Sequence, residues 1–246
     1  MLIDYKNIKK QFEKSLNVYE NNATVQKMIA ETMILKLAKI RNCYEKILEL
    51  GCGTGLATKI IKKNLHYNMY FANDLVEKSK TYIEKIIPDV NFIPGNATKI
   101  KPNTKMDLII SNAMFQWFEN PSEAIIHFKT ILNSNGILAF STFAPDNFKE
   151  INEITGLTLE YKSKNDLELI LKNIGFDIIH SENFCTVLNF KSPLELLTHM
   201  KNTGVNSLTE KTWTITKVKN FCDKYTEKYP RPKLTYSPII IIAKRV

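Results

Sequence analysis

Three glycines at alternate positions follow a short apolar run and an acidic residue in the first quarter of the chain. Residues 46–55 read KILELGCGTG, so that Glu49 stands two residues before the first of Gly51, Gly53 and Gly55. Glycine lets a backbone turn tightly and approach a ligand closely, because it has no Cβ atom. A carboxylate at Glu49 would repel a pyrophosphate but suits an ammonium or sulfonium cation. The segment therefore predicts a site for a positively charged nucleoside cofactor.

The spacing of these glycines separates the turn from that of dinucleotide-binding proteins. Their turn has the pattern G-x-G-x-x-G and rests a phosphate on a helix N-terminus, whereas here the pattern is acid-x-G-x-G-x-G, with Cys52 between the first two glycines. This pattern resembles the first motif of S-adenosylmethionine-dependent methyltransferases with a doubly wound fold. A glycine-rich turn without a ligand is the alternative, and the strand and helix around the turn argue against it.

Two later turns supply candidate contacts to a nucleoside. Asp74 lies nineteen residues after Gly55, a separation at which a carboxylate reaches ribose hydroxyls, and the resemblance adds Leu75. The alternative for Asp74 is an N-cap of the following helix. After the third strand come Asn96 and Ala97, where the family usually has Asp-Ala to accept from the adenine amino group. The amide oxygen of asparagine can accept the same bond, and a plain turn asparagine is the alternative.

An aromatic segment follows the fourth predicted strand. Residues 111–118 read SNAMFQWF and fall at the carboxyl edge of a central strand, where open α/β sheets bind ligands. We expect exposed rings at Phe115 and Trp117 that position a substrate, a cofactor contact from Asn112 and a substrate contact from Gln116. The segment does not match the Asn/Asp-Pro-Pro-aromatic sequence of enzymes that methylate base amino groups.

Four segments, in order along the chain, indicate one family within the S-adenosylmethionine-dependent methyltransferases. Residues 12–19, 111–118, 200–206 and 234–236 together resemble the malonyl-acyl-carrier-protein O-methyltransferases of biotin (pimeloyl) synthesis. The resemblance implies methyl transfer from S-adenosylmethionine to the free carboxylate of a malonyl thioester on acyl carrier protein. It also implies that Tyr19 lies over the cofactor, that Tyr236 contacts the substrate, and that a helical insert closes on the carrier arm.

This chemistry needs no catalytic base and no metal. A carboxylate with a pKa near ~4 is ionised at neutral pH, so positioning by Tyr19, Phe115 and Trp117 suffices. Of the four histidines only His199 lies in the insert, where it could take part in the reaction. We prefer the interpretation that His199 is a surface histidine. The four cysteines form no C-x-x-C pair, which predicts reduced thiols rather than a metal site or a disulfide framework.

The chain is basic, with a net charge of +9 and an isoelectric point near 9.2. Under the resemblance, basic residues around the insert steer an acidic carrier protein, and Lys201 and Arg231 contact the substrate. Compositional bias and a solvated lysine-rich face are the alternatives. The other steering candidates are Lys211, Lys217 and Lys219.

Helical and strand patterns alternate along the chain and predict an α/β protein. We expect a doubly wound, seven-stranded, mostly parallel sheet, the Rossmann-like methyltransferase fold, with N-terminal helices and a helical insert before the last strand. The resemblance implies that the sixth and seventh strands are reversed in order at the sheet edge. The predicted helices cover 4–18, 23–40, 55–64, 75–87, 121–133, a segment from Ser163 to before Gly175, 192–202 and 209–228. The predicted strands cover 45–50, 67–73, 90–94, 106–111, 136–143, 176–187 and 234–244.

A single methyltransferase domain over 1–246 is expected, because 246 residues with 44% hydrophobic content can bury one sizeable core. Within it we assign 1–42 to a helical cap, 43–145 to the cofactor-binding core and 188–232 to the substrate-side insert. The N-terminus lacks the apolar region of a signal peptide, which predicts a soluble, cytoplasmic protein. Two alternatives stay open: a methyltransferase for a free small acid or another metabolite, and an RNA-binding protein with a vestigial cofactor site.

Overall fold

A computed structural model describes residues 4–205 and 213–246. The helices are α1 (Tyr5–Asn22), α2 (Thr24–Ile40), α3 (Leu56–Asn64), α4 (Ser79–Glu84), α5 (Pro121–Ile131), α6 (Lys149–Thr155), α7 (Lys164–Ile174), α8 (Pro193–Asn202) and α9 (Ile215–Lys228). The strands are β1 (Cys43–Leu50), β2 (His66–Asp74), β3 (Asn91–Pro94), β4 (Met106–Ser111), β5 (Leu132–Phe143), β6 (Phe176–Asn183), β7 (Thr186–Asn189), β8 (Lys233–Tyr236) and β9 (Pro238–Arg245).

The main sheet has seven strands in the order β3-β2-β1-β4-β5-β9-β6. The first five are parallel, and β9 runs antiparallel to both β5 and β6. The last four residues of β1 are buried, because helices cover both faces of a parallel sheet. The predicted doubly wound fold, with the reversed order at its edge, is confirmed.

Local sequence signals account for several helix ends. Ser163 caps α7 and forms a capping box with Asp166, and Gly175 ends the helix in the left-handed conformation. Asn120 caps α5, whose first residue is Pro121, and proline is suited to this position because its missing N–H would have no helical partner.

Two predicted strands are broken in the structure. The run 176–187 divides into β6 and β7, and the run 234–244 divides into β8 and β9. Pro238 has no N–H to donate and begins β9. β7 and β8 then pair with each other in a separate two-stranded sheet. This sheet joins the helical insert to the edge of the main sheet.

The remaining differences concern helix extents. Residues 75–78 form a turn, so the helix predicted over 75–87 is limited to α4, and α6 occupies a segment that the sequence left irregular. The first residues of the helix predicted over 209–228, with Lys211, lie outside the described residues. Over 4–205 and 213–246, no helix is both long and apolar enough to cross a membrane.

Apolar side chains pack on both faces of the main sheet. One cluster joins α2 and the sheet to the insert through residues such as Met33, Leu196 and Tyr225. The other packs α5 and α7 against the opposite face, around Phe128 and Leu171. The two clusters fix the strands whose carboxyl ends carry the candidate site.

Candidate active site

A cleft of about 1050 Å³, part of it open to solvent, lies at the carboxyl ends of β1, β2, β3 and β4. We call it the first cavity. Most of the predicted cofactor contacts line it, as open α/β sheets lead one to expect. The lining residues that the sequence predicted are Tyr19, Glu49, Gly51, Cys52, Gly53, Asp74, Leu75, Asn96, Ala97, Asn112 and Trp117.

The glycine turn is held against the end of β2. The N–H groups of Gly51 and Cys52 both donate to the carbonyl oxygen of Asn73, at 2.8 and 3.0 Å. Gly53 has a positive φ of 53°, and an added Cβ would meet no atom within 4 Å, so a side chain there would project into the cavity. Gly55 does not line the cavity, because it packs closely on the side chain of Ile86. The prediction that Gly55 contacts the cofactor is therefore not supported.

The Asp74 carboxylate bridges two backbone segments of the site. Its Oδ2 accepts from the N–H of Gly53 at 2.8 Å, and its Oδ1 accepts from the N–H of Val76 at 2.7 Å. Burial raises the pKa of Asp74, and these two N–H groups partly offset the rise. Because α4 begins only at Ser79, Asp74 fixes the turn after β2 rather than capping a helix.

Glu49 is a second buried carboxylate in the same cavity. Its Oε2 accepts from the hydroxyl groups of Thr58 and Tyr70, each at 2.6 Å. Burial raises the pKa of Glu49 to about 7, although both hydroxyl groups lower it. Among the described residues neither Glu49 nor Asp74 forms an ion pair with a basic side chain. A cationic ligand would therefore meet two carboxylates that lack a counter-ion.

One face of α1 forms a wall of the cavity. Its aromatic and aliphatic lining side chains recur every three or four residues, which places them on one side of a helix. Beside this face, α1 is tied down by an ion pair of 2.7 Å between Glu13 and Lys78 and another of 2.7 Å between Glu20 and Lys59. Of this wall the sequence identified only Tyr19, although the aromatic and aliphatic spacing was visible. The aromatic and aliphatic part of the wall consists of Tyr5, Ile8, Phe12, Leu16 and Tyr19, and Lys9 and Ser15 of the same helix also line the cavity.

The aromatic segment after β4 divides its rings between core and cavity. Phe115 is 2% exposed and stacks on Phe140 with ring centroids 3.8 Å apart, so it does not line the cavity. Trp117 does line it, and its ring meets that of Phe12 edge to face at 5.9 Å. The expectation of exposed rings here is wrong, because a 3-10 turn over Phe115–Trp117 directs Phe115 back onto the sheet. Trp213, the first residue of the second described range, packs on Phe221 and lines neither cavity.

Asn112 belongs to a network beneath this segment. Its Nδ2 donates to the Gln26 carbonyl oxygen at 3.0 Å, and its Oδ1 accepts from Ser141 at 2.8 Å. The Ser141 oxygen in turn accepts from the N–H of Ala113 at 2.8 Å. Ala113 has a φ of 51°, a conformation that non-glycine residues adopt only where the surroundings impose it. The network therefore holds the cavity-lining backbone at Ala113 in a strained conformation.

The side chain of Asn96 closes a turn. Its Oδ1 accepts from both the N–H and the hydroxyl of Thr98, at 3.0 and 2.9 Å. The amide oxygen that was expected to accept from an adenine amino group is thus already engaged. Asn96 lines the cavity as a turn asparagine, the alternative interpretation of its sequence position.

A second, smaller cavity of about 360 Å³ adjoins the first. Gln116 and Tyr236, both predicted to contact the substrate, line it. Lys201 and Arg231 are exposed and line neither cavity, because each stands near the end of an insert helix. Of the residues that the structure describes, four line both cavities and mark where the cavities meet: Phe12, Tyr19, Ala113 and Trp117.

His199 supports the second cavity from behind. Its Nε2 lies 2.7 Å from the Tyr236 hydroxyl oxygen, and burial lowers the pKa of the imidazole. The preferred interpretation as a surface histidine is wrong, since α8 packs this residue inward. Over the described ranges, no three His, Cys, Asp or Glu side chains cluster as metal ligands would.

Comparison with known proteins decides the family. A family described as methyltransferase domain matches residues 24–206. A malonyl-[acyl-carrier protein] O-methyltransferase from Bacteroides thetaiotaomicron is 37% identical over 97% of this chain and 97% of that protein. One from Calditerrivibrio nitroreducens is 36% identical over 96% of each chain. The chain belongs to the malonyl-[acyl-carrier protein] O-methyltransferase family.

Solved structures show the same fold. The N-methyltransferase NodS from Bradyrhizobium japonicum, in complex with S-adenosyl-L-homocysteine, superposes with a TM-score of 0.62 over 97% of this chain and 98% of that chain. The sequence identity is 11%, so this likeness concerns the architecture alone.

The first cavity fits S-adenosylmethionine, the methyl donor of this methyltransferase family. The donor carries an ammonium and a sulfonium group, and the cavity offers two buried carboxylates, Glu49 and Asp74, without an ion-pair partner among the described residues. At Gly53, the space that a Cβ would fill is open. The chemistry of the lining and the shape of the turn thus agree with the family.

Proposed function

We propose that this methyltransferase transfers a methyl group from S-adenosylmethionine to the free carboxylate of a malonyl thioester on acyl carrier protein, an early step of biotin (pimeloyl) synthesis. The observation that carries the proposal is the meeting of two cavities at Phe12, Tyr19, Ala113 and Trp117. One cavity is acidic and suits a cationic donor, and the other is small and suits an acyl group. The methyl group then moves from the donor in the first cavity to the acyl group in the second cavity across the junction between them.

Residues of the first cavity would hold the cofactor. Glu49 supplies a carboxylate for its positive charge, and Asp74 supplies one for the ribose hydroxyl groups while it fixes the glycine turn. Tyr19 and Trp117 exclude water at the junction, which leaves the nucleophile less solvated. When bound, S-adenosylmethionine supplies a methyl carbon that gains a bond from a carboxylate oxygen as its bond to sulfur breaks, with the electron pair staying on sulfur.

No proton leaves the acceptor in this reaction, so the site needs no general base. Burial and the nearby carboxylate of Asp74 raise the pKa of Tyr19, which keeps its hydroxyl group protonated at neutral pH. His199 is engaged with Tyr236 behind the second cavity. The work of the protein is then to align the two groups within roughly 3 to 3.5 Å.

Basic residues of the insert suit an acidic carrier protein. Lys201 stands in the last turn of α8, Lys217 and Lys219 lie on α9, and Arg231 follows α9. All four are exposed, as steering charges must be if they act on the encounter between two proteins.

A direct assay tests the proposal. Purified protein is mixed with S-adenosylmethionine and malonyl-acyl carrier protein, and the gain of one methyl group on the acyl chain is followed by mass spectrometry. Malonyl-coenzyme A and free malonate serve as competing acceptors. Methylation of the carrier-bound malonyl group at a much higher kcat/KM supports the proposal, whereas a preference for free malonate supports a methyltransferase of small acids.

A further inference from the structure

The second cavity contains no charged side chain among its described lining residues. If the proposed function holds, on which this inference rests, the cavity receives a carboxylate, and none of its described lining residues is an arginine or lysine that could pair with it. A buried anion without hydrogen-bond donors is strongly disfavoured. Neutral donors in the lining must therefore take the place of a cation.

Trp117 presents one such donor. The residue is 7% exposed, and its indole Nε1 is buried without a hydrogen-bond partner in the described part of the chain. An indole N–H can only donate, and a buried donor left unpaired costs free energy. Because the ring lies where the two cavities meet, the unpaired N–H points to an acceptor carried by a ligand.

Tyr161 presents a second donor in the same cavity. Its hydroxyl oxygen accepts from Asn147 Nδ2 at 3.1 Å, and Asn147 is itself fixed by the N–H of Ser237 at 3.2 Å. With that bond made, the hydrogen of the phenol remains for another acceptor, and the structure gives none among the described residues. Burial raises the pKa of Tyr161 to about 12, so the hydroxyl group keeps its proton. Tyr161 packs against the apolar cluster that contains Trp117.

The unpaired acceptors of the cavity restrict where an anion can lie. The Oε1 atoms of Gln26 and Gln116 are buried without partners among the residues that the structure describes, and the Nε2 of Gln116 donates to the Ala113 carbonyl oxygen at 2.6 Å. These two oxygens would repel a carboxylate and suit an N–H group elsewhere in the substrate. The anionic end is thereby directed to Trp117 and Tyr161.

We propose that the indole N–H of Trp117 and the hydroxyl of Tyr161 together bind the carboxylate of the acyl substrate, in a subsite whose described lining residues include no cation. Neutral donors leave the negative charge on the carboxylate, so its second oxygen stays nucleophilic. The methyl ester formed by the reaction carries no charge and accepts these hydrogen bonds more weakly. The same two residues therefore favour the substrate over the product.

Binding measurements in the absence of turnover test this subsite. The protein is saturated with S-adenosyl-L-homocysteine, and the Kd values of malonyl- and acetyl-acyl carrier protein are compared by calorimetry, since the two ligands differ by the carboxylate alone. We expect Tyr161→Phe and Trp117→Phe each to lower the ratio of acetyl Kd to malonyl Kd by about tenfold or more. Trp213→Phe is the matched control, because Trp213 lines neither cavity, and it should leave the ratio unchanged.

The outcomes separate the inference from the proposed function. A wild-type ratio of one would mean that the protein does not recognise the malonyl carboxylate, and both would be lost. A high wild-type ratio that both variants preserve would overturn the subsite alone. Equal loss of affinity for both ligands would also overturn it, since that result indicates packing. Melting curves and S-adenosyl-L-homocysteine affinity check that Tyr161→Phe is folded.

Discussion

Gly204 lies directly against the ring of Phe12, and a Cβ added there would come within 2.7 Å of Phe12 Cε1. Gly204 follows α8 in the insert, whereas Phe12 lies on α1 and lines both cavities. The Phe12 ring in turn meets Trp117 edge to face. Because Gly204 has no side chain, the insert packs directly on the Phe12 ring at the junction of the two cavities.

Gly204→Ala should displace the Phe12 ring and weaken binding in both cavities. We expect kcat/KM to fall by about tenfold or more, because the added methyl group overfills a packed contact and sits on a backbone with positive φ. Gly156→Ala is a matched control, since Gly156 also has a positive φ but an added Cβ meets no atom within 4 Å. Equal losses in the two variants would show that backbone strain, and not the Phe12 contact, is responsible.

Cofactor affinity should fall as the pH drops below 7. Burial raises the pKa of Glu49 to about 7 in the free protein, so the carboxyl group is largely protonated at pH 6. A cationic cofactor favours the ionised form, and binding below pH 7 must therefore release a proton. Affinity should then decrease by up to about tenfold per pH unit below 7 and level off above about pH 8.

Calorimetry with S-adenosylmethionine from pH 5.5 to 8.5 measures this dependence, and two buffers of different ionisation enthalpy count the released protons. Glu49→Gln is the control variant, which should bind more weakly at pH 8 and show a flatter profile. Equal wild-type affinity at pH 6 and pH 8 would contradict the assignment of Glu49 to the cofactor charge.

The rate at saturating cofactor should behave differently from the affinity. A substrate carboxylate with a pKa near ~4 is ionised throughout the neutral range, so kcat should be flat from about pH 6 to 8 if chemistry is rate-limiting. Stopped assays at saturating concentrations of both substrates give this profile. A rise in kcat with an apparent pKa near 7 that disappears in His199→Asn would show that a base takes part after all.

Asp74→Ala should weaken cofactor binding strongly. The substitution deletes the acceptor for the N–H groups of Gly53 and Val76, so the glycine turn loses its anchor together with the proposed ribose contact. Losing a charged acceptor costs about 1.5 to 3 kcal/mol, or roughly ten- to a hundredfold in Kd. Titration with S-adenosyl-L-homocysteine measures the loss, and Asp166→Ala, which alters only the capping box of α7, serves as the control. Unchanged affinity in Asp74→Ala would exclude its role.

The parts of the site that could be predicted from the sequence are those fixed by local patterns. The apolar run before Gly51 predicts β1, and Asp74 stands at the end of β2. Both residues could be placed at the site because parallel strands bring their carboxyl ends to one edge of the sheet. The burial of Phe115 could not be predicted, since it depends on Phe140 in a strand that is distant along the chain. The contact of Asn96 with Thr98 is local, and the sequence offered a turn asparagine as one of two interpretations without deciding between them.

The wall formed by α1 is an intermediate case. The spacing of Ile8, Phe12, Leu16 and Tyr19 indicates one apolar helix face, but the pattern is the same whether that face covers a core or a cavity. The break before Pro238 is similar, because an apolar run shows strand propensity and not which sheet each part joins. Tertiary packing decides both.

Charge reversal at Lys201 together with Arg231 should raise the KM for malonyl-acyl carrier protein far more than the KM for malonyl-coenzyme A. Both residues are exposed and lie outside the two cavities, so they can act on the encounter with an acidic protein and not on the acyl group. The wild-type advantage of the carrier-bound substrate should shrink between low salt and roughly 0.5 M, where the Debye length is about 4 Å.

Lys63→Glu with Lys105→Glu is the matched control, because this double variant changes the net charge by the same amount. Both lysines are exposed and lie shortly before the first residues of β2 and β4, so they are at the strand ends opposite the first cavity. Equal effects of the two double variants would mean that net charge alone attracts the carrier protein, and equal losses on both substrates would exclude a docking role for Lys201 and Arg231.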